Sequence, residues 1–156
     1  NDIDVAALCV GVGDLVRPQA AAAGVEVMAK LGPGLPTLRG DETKIRQMLL
    51  NLVANAIKFT PGQGQVTLRA AVDFDGTMTF AVTDTGIGIA AENIEKALTP
   101  YGQVDSGLDR KYQGTGLGLP LARTFAELHD AIFDLESEVG EGTTVSVCFP
   151  ASRVID

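Results

Sequence analysis

Basic residues and long apolar runs are scarce in this sequence, and each shortage excludes a class of protein. Only 12 Lys and Arg stand against 20 Asp and Glu, which gives a net charge of −8. Because an acidic chain repels phosphates, no nucleic-acid binding is expected. No apolar run approaches the roughly 20 residues that a membrane helix needs, and no signal peptide opens the chain. We therefore expect no membrane contact by this domain.

Cysteine and histidine are also rare. The two cysteines, Cys9 and Cys148, lie far apart and form neither a CxxC motif nor a metal-ligand spacing. Such a pair is typical of small core residues in a reducing compartment, which predicts a cytoplasmic location. His129 is the only histidine. Its apolar neighbours Phe125, Leu128 and Ile132 predict that it packs at a helix end and does not act as a phosphate acceptor.

Glycine, by contrast, is abundant, and most of the 18 glycines cluster, as in loops pressed against a ligand. The chain has 156 residues, 46% of them hydrophobic, and contains no repeat or linker, so one domain over residues 1–156 is expected. Helical and strand patterns alternate, which predicts an α/β sandwich. The spacing predicts helices over residues 4–23, 42–59, 90–98 and 117–129, strands over 25–31, 66–72, 78–82, 132–135 and 145–149, and a polar loop over 99–114.

The second predicted helix carries a narrow polar stripe beside its apolar one. At 100° per residue, this stripe contains Lys44, Gln47, Asn51, Asn55 and Lys58. Asparagine is a mediocre helix former, so two on one face need a reason. Amide oxygens suit a hard cation such as Mg²⁺, and a lysine suits phosphate. Taken alone, the stripe is equally consistent with a solvated helix face.

Two glycine-rich segments follow at defined places in the pattern. Residues 84–89, Asp-Thr-Gly-Ile-Gly-Ile, come directly after a strand, where the carboxylate could accept a hydrogen bond from the amine of adenine. An ordinary Asp-Gly turn is the alternative. Residues 114–119, Gly-Thr-Gly-Leu-Gly-Leu, lead into a helix, whose free N–H groups could bind phosphate. Neither a Walker loop nor a dinucleotide fingerprint fits this segment, because no Gly-Lys-Ser/Thr follows it and no strand precedes it.

In this order the motifs resemble the catalytic ATP-binding domain of sensor histidine kinases, within the Bergerat-fold (GHKL) ATPases. Residues 51–60 resemble the N box of that family, 84–89 its G1 box, 114–119 its G2 box and 101–107 the F-box region of its ATP lid. The resemblance extends over essentially the whole chain, to the Gly-Thr-Thr-Val of residues 142–145. It implies a two-layer α/β (α+β) sandwich, in which about three helices cover one face of a mixed β-sheet.

The resemblance also implies ATP and Mg²⁺ as cofactors and assigns roles by position. Asn55 would hold Mg²⁺ with support from Asn51, Lys58 would neutralise phosphate, and Asp84 would bind the adenine amine. Arg110 and Lys111, in the lid, would join Asn55 and Lys58 in catalysis by steadying the γ-phosphate. The implied nucleotide-binding set is Asn51, Asn55, Lys58, Phe59, Asp84, Gly86, Gly88, Ile89, Tyr101, Gly114, Thr115, Gly116, Leu117, Gly118, Leu119 and Thr144.

One position distinguishes kinases from water-activating ATPases of this fold. The latter carry a glutamate one turn before the Mg²⁺ asparagine, whereas this chain has Asn51, which cannot accept a proton. This favours phosphoryl transfer over hydrolysis. The acceptor would lie on a separate helical-hairpin dimerisation domain of the same protein. That implies a larger parent protein, which could itself be membrane-anchored, a homodimer through the hairpin and a response regulator or other signalling protein as partner.

The sequence departs from the family pattern at two places. Leu98 and Thr99 stand where the kinases usually have phenylalanine and glutamate, and Asp130 and Ala131 stand where they often have two glycines. The second departure is expected to alter the turn into the last hairpin. These changes keep open an alternative, a regulatory pseudokinase module that binds nucleotide weakly or not at all and signals through protein contacts. An anti-sigma type serine kinase shares the fold, but the long lid fits it less well.

Overall fold

The computed structural model describes residues 2–98 and 118–155, which form two sheets and one helical layer. The strands are β1 (Asp2–Asp4), β2 (Glu26–Leu31), β3 (Thr37–Arg39), β4 (Gln65–Val72), β5 (Met78–Asp84), β6 (Ile132–Glu138), β7 (Gly142–Phe149) and β8 (Val154–Ile155). The helices are α1 (Val5–Ala23), α2 (Glu42–Lys58), α3 (Ile94–Ala97) and α4 (Gly118–Leu128). Two single 3₁₀ turns cover Ala91–Asn93 and Ala151–Arg153.

The main sheet has five strands in the order β2-β4-β5-β7-β6. Only β2 and β4 run parallel, and the other neighbours are antiparallel, so the sheet is mixed as expected. Burial alternates along β5, where Met78, Phe80, Val82 and Asp84 are buried and the residues between them are half-buried. Asp84 therefore lies on the helix-covered face of the sheet.

Three helices cover that face, which confirms the predicted two-layer architecture. Helix α2 is central and packs on β4 and β5 between α1 and α4. Its start is fixed by Asp41, whose Oδ1 accepts a hydrogen bond from Lys44 N at 3.1 Å. The residues that α2 buries follow the helical repeat: Ile45, Met48, Leu49, Leu52, Val53, Ala56 and Ile57. This apolar contact holds the polar residues of α2 at a fixed position beside the sheet.

Three short strands and one helix differ from the sequence predictions. Strands β1, β3 and β8 form a small second sheet in the order β1-β3-β8. At two or three residues each, they are too short to show the alternation by which strands are recognised. The helix predicted over residues 90–98 is a 3₁₀ turn followed by the four-residue α3. The predicted loop over 99–114 lies outside the described residues.

Helix α1 corrects the expectation about apolar runs. Its 19 residues are long and apolar enough to span a membrane by length and composition alone. However, Val5, Leu8, Cys9, Val12 and Val16 are all buried in the core of the domain. The core helix of a soluble protein passes the same test, so this finding is weak evidence for a membrane span. Burial raises the pKa of the Cys9 thiol to about 12, which agrees with its prediction as a core residue.

His129 directly follows α4 and joins it to the start of α2, in agreement with its predicted packing at a helix end. Its Nδ1 lies 2.8 Å from the Phe125 carbonyl oxygen, and its Nε2 accepts a hydrogen bond from Asp41 N at 3.0 Å. The ring is buried and packs edge-on against Phe149. Asp130 follows with a φ of 60°, a left-handed conformation that glycine adopts easily. The helix therefore terminates here without the two glycines.

Candidate functional site

The polar stripe of α2 is half-buried where the sequence predicts a ligand wall. Lys44 and Gln47 are exposed, but Asn51, Asn55 and Lys58 are each half-buried. Gln47 Nε2 donates to Asn51 Oδ1 at 2.8 Å, which leaves the buried Asn51 Nδ2 with no partner among the described residues. A buried donor without a partner costs free energy, so it marks a place where a ligand oxygen or water could bind. The alternative of a fully solvated face does not fit these three residues.

Lys58 lies at the C-terminal end of this stripe. Its Nζ lies 5.5 Å from the centre of the Phe59 ring, within the range of a cation–π contact. Partial burial lowers the pKa of Lys58, because the charged form loses solvation. A phosphate beside the ammonium group would offset this lost solvation and favour the charged form of Lys58. Phe59 itself is the half-buried C-cap residue of α2, and its carbonyl oxygen accepts a hydrogen bond from Ile87 N in the loop after Asp84.

Asp84, at the end of β5, is held by two backbone donors. Its side chain is 8% exposed, and Oδ1 accepts hydrogen bonds from Gly86 N at 2.8 Å and Thr143 N at 3.2 Å. Burial raises the pKa of Asp84, and the two backbone hydrogen bonds partly oppose this rise. Its Oδ2 accepts no hydrogen bond from residues in the described ranges 2–98 and 118–155. Within the described part of the chain, the carboxylate therefore presents one fixed acceptor atom without a partner.

The loop after Asp84 is fastened to three neighbouring segments. Ile87 N donates to Phe59 O at 3.2 Å, and Gly140 N donates to Ile87 O at 2.9 Å. Ile89 N donates to Ser137 Oγ at 2.7 Å. These bonds tie the loop to the end of α2, to the β6–β7 turn and to β6. Ile89, one of the implied nucleotide residues, is thus fixed through its backbone.

Gly86 and Gly88 allow this loop to approach other backbone closely. A Cβ on Gly86 would overlap the Phe59 carbonyl oxygen. A Cβ on Gly88, whose φ is +76°, would overlap the Glu138 carbonyl. The spaces that the two missing side chains leave are therefore filled by protein backbone. Their predicted contact with a base stays a prediction.

This packing gives a stability prediction with a matched control. Gly88→Ala should destabilise the fold by about 3–5 kcal/mol, because it adds both a left-handed alanine and a backbone overlap. Gly140→Ala also has a positive φ, of +83°, but a Cβ there meets nothing within 4 Å. It should cost only about 1–2 kcal/mol. Urea unfolding of the two variants measures the difference, and equal losses would contradict the proposed overlap.

The structure does not bring Thr144 together with Asp84. Thr144 pairs with Thr83 across the ladder, and their hydroxyls are 3.2 Å apart on the opposite face of the sheet. The preceding residue, Thr143, pairs with Asp84 instead and donates its N–H to Oδ1. Because side chains alternate along a strand, a shift of one residue changes the face. Thr143 and Ser137 are absent from the predicted set. Counting back in steps of two from the buried Val145 reaches Thr143, and counting forward in steps of two from Phe133 and Leu135 reaches Ser137.

The remaining candidates lie mostly outside the described residues. Those outside are Tyr101, Arg110, Lys111, Gly114, Thr115, Gly116 and Leu117. Gly118 begins α4, so the G2 segment leads into a helix as predicted. Leu119 is buried in the core cluster, so its side chain packs against protein. Leu98, at the first departure from the family pattern, is also packed against the core.

Comparison with known proteins identifies the family. The family described as "Histidine kinase-, DNA gyrase B-, and HSP90-like ATPase" matches residues 40–153. The chain therefore belongs to this family. It is 45% identical over 139 residues to the non-motile and phage-resistance protein of Caulobacter vibrioides, covering 87% of this chain and 16% of that protein. It is 46% identical over 136 residues to histidine protein kinase DivJ of the same organism, covering 87% and 22%.

Solved structures agree with this assignment. Full-length ShkA in complex with AMPPNP superposes with a TM-score of 0.84 and 31% identity, over 96% of this chain and 30% of that one. The catalytic domain of histidine kinase ThkA has a TM-score of 0.82 at 22% identity, over 97% of each chain, and supports the fold alone. Within the family, the chain is a catalytic ATP-binding domain of the sensor histidine kinase type. It spans 16% and 22% of the length of the two Caulobacter relatives.

Proposed function

We propose that this domain binds Mg-ATP and transfers the γ-phosphoryl group to an acceptor residue on a separate helical-hairpin domain of a two-component signalling kinase. The family and the histidine kinase relatives support the kinase role. The observation that carries the nucleotide assignment is Oδ2 of Asp84, which has no partner among the described residues. It belongs to a carboxylate that is 8% exposed and is held in place through Oδ1, which accepts from Gly86 N and Thr143 N.

Recognition of adenine follows from the chemistry of that acceptor. An ionised carboxylate can only accept hydrogen bonds, and the exocyclic amine of adenine can only donate. Guanine has a carbonyl oxygen at the matching position, which a carboxylate would repel. The low exposure of Asp84 strengthens both the attraction and the repulsion. Asp84 thus favours ATP over GTP.

The residues of α2 fit the phosphate and metal end of Mg-ATP. Asn55 is half-buried one turn after Asn51, and its amide oxygen is the kind of hard ligand that Mg²⁺ accepts. The orphaned Asn51 Nδ2 is a donor suited to a phosphate oxygen or to a water on the metal. Lys58 would balance phosphate charge at the other end of the row. When bound, Mg²⁺ would neutralise charge on the transferred phosphoryl group.

Hydrolysis should be slow at this site. Asn51 occupies the position where a general base would activate water, and an amide does not take a proton at neutral pH. In phosphoryl transfer most of the catalysis is positioning and electrostatic stabilisation. A site that positions ATP without activating water retains it for an acceptor on another domain. Arg110 and Lys111 stay candidates for steadying the γ-phosphate.

Calorimetric titration of the chain with a non-hydrolysable ATP analogue tests the binding step. We expect micromolar affinity that increases with Mg²⁺. No heat of binding from a folded sample would contradict the proposal and favour the pseudokinase alternative. Labelled ATP incubated with a supplied helical-hairpin domain then tests transfer. Label on the hairpin domain is the expected result, whereas binding without transfer would support a regulatory module.

A further inference from the structure

Ser137 on β6 is the centre of a hydrogen-bond network beside Asp84. Its Oγ accepts from Ile89 N at 2.7 Å, donates to Gly142 O at 3.0 Å and lies 2.6 Å from Thr143 Oγ1. Ser137 and Thr143 are paired across the β6–β7 ladder, and Thr143 is paired with Asp84 on the next strand. Three polar side chains on neighbouring strands thus lie side by side on the helix-covered face.

The directions of these hydrogen bonds follow from a count of protons. A serine hydroxyl has one proton to donate and two lone pairs to accept with. The Gly142 carbonyl can only accept, so it takes the Ser137 proton. Ile89 N–H uses one lone pair, which leaves the other for Thr143. All three contacts are satisfied only if the Thr143 hydroxyl donates to Ser137 Oγ.

We propose that Ser137 is a specificity-determining positioning residue. By accepting the Thr143 proton, it leaves Thr143 Oγ1 with only acceptor capacity toward a bound base. Asp84 Oδ2 is a second acceptor, on the residue directly opposite Thr143. Paired residues of adjacent strands have Cβ atoms about 5 Å apart, so one ligand group can contact both side chains.

Two neighbouring acceptors select a group with two hydrogens to donate. The amino group of adenine has two hydrogens, whereas the carbonyl oxygen of hypoxanthine or guanine has none. The Ser137–Thr143 pair therefore adds to the preference that Asp84 alone would give. Without Ser137, the Thr143 hydroxyl can turn its proton toward the base and accommodate a carbonyl oxygen. This inference rests on the proposed ATP-binding function.

The test compares Mg-ATP with Mg-ITP, in which a carbonyl oxygen replaces the amine. Ser137→Ala should reduce the preference for ATP over ITP about fivefold in calorimetric titrations. Ser137→Thr, which keeps the hydroxyl, should retain the wild-type preference. Loss of the Ile89 contact alone would loosen the loop and weaken the binding of both nucleotides equally. The ratio of the two dissociation constants therefore separates an effect on specificity from an effect on loop structure. Equal weakening by Ser137→Ala would overturn the inference.

A second variant tests the same inference at Thr143, alone and combined with Ser137→Ala. Thr143→Val should also reduce the preference, and Ser137→Ala in that background should reduce it no further. Ser146→Ala is the matched control, since Ser146 pairs with Ala81 on the opposite face. Wild-type chain that binds neither nucleotide would overturn the proposed function together with this inference. Wild-type chain that prefers ATP, with an unchanged preference in Thr143→Val, would overturn the inference alone.

Discussion

Asp84→Asn is expected to weaken ATP binding about 100-fold while the domain stays folded. Loss of a hydrogen bond to a charged group costs about 1.5–3 kcal/mol, and an amide N–H turned toward the adenine amine would add repulsion. The substitution preserves the shape of the side chain. Its carbonyl oxygen can still accept from Gly86 N and Thr143 N, the two bonds that fix the carboxylate. Calorimetry with the non-hydrolysable analogue measures the loss.

The melting temperature of Asp84→Asn should equal or slightly exceed that of the wild type. Burial raises the pKa of Asp84 above its unfolded value. The ionised carboxylate therefore opposes folding at neutral pH, and this cost disappears as the pH falls below the unfolded pKa. The neutral amide removes the cost at every pH. Asp134→Asn, on an exposed residue of β6, is the charge-matched control and should bind normally. Retained ATP affinity in Asp84→Asn would refute the role of this carboxylate.

Asn55→Ala is expected to abolish the effect of Mg²⁺ on nucleotide binding. An alanine has no oxygen to offer the metal, and alanine is a good helix former, so α2 should persist. Titrations with Mg²⁺ and with EDTA should give dissociation constants that agree within about twofold, whereas the wild type should bind more tightly with Mg²⁺. The two constants are compared on the same protein preparation.

Asn55→Asp is the control for this metal assignment. It keeps an oxygen at the same position and adds a charge, so the response to Mg²⁺ should be retained or increased. A response to Mg²⁺ in Asn55→Ala as large as in the wild type would show that the metal is held elsewhere. Unchanged circular dichroism of both variants would exclude unfolding as the cause.

Periodicity in the sequence predicted the five strands of the main sheet and its helices, and the family resemblance implied that the sheet is mixed and covered on one face. The buried stripe of α2 is strong, and it predicted that Asn51 and Asn55 lie beside the core; the buried position of Asp84 became clear only when β5 was seen to extend to it. The small sheet of β1, β3 and β8 was not predictable in this way. Its strands contribute few residues each and are held by pairing between distant parts of the chain.

The candidate site was predictable in its motifs but not in its register. Thr143 and Thr144 are identical neighbours. The alternation along β7 assigns them to opposite faces, but only the strand pairing shows that Thr143 lies opposite Asp84 and Thr144 opposite Thr83. The contact of Gly86 and Gly88 with a base, which the resemblance implies, stays a prediction. The structure gives Gly88 a different role, because it packs on the backbone of Glu138, the last residue of β6, about fifty residues further along the chain. Only tertiary contacts could reveal this.

The contact between the Gly88 loop and the β6–β7 turn is made by main chain on both sides. A Cβ on Gly142 would likewise overlap the Asp84 carbonyl, whereas the side chains of Val139 and Glu141 are exposed. A saturation scan should therefore show that Gly88 and Gly142 tolerate almost no replacement, whereas Val139 and Glu141 tolerate nearly all replacements. The loop after Asp84 should therefore keep its position when side chains of the β6–β7 turn are replaced. We expect the outer surface of that turn to accept changes, including the attachment of a reporter dye, without loss of the proposed nucleotide contacts.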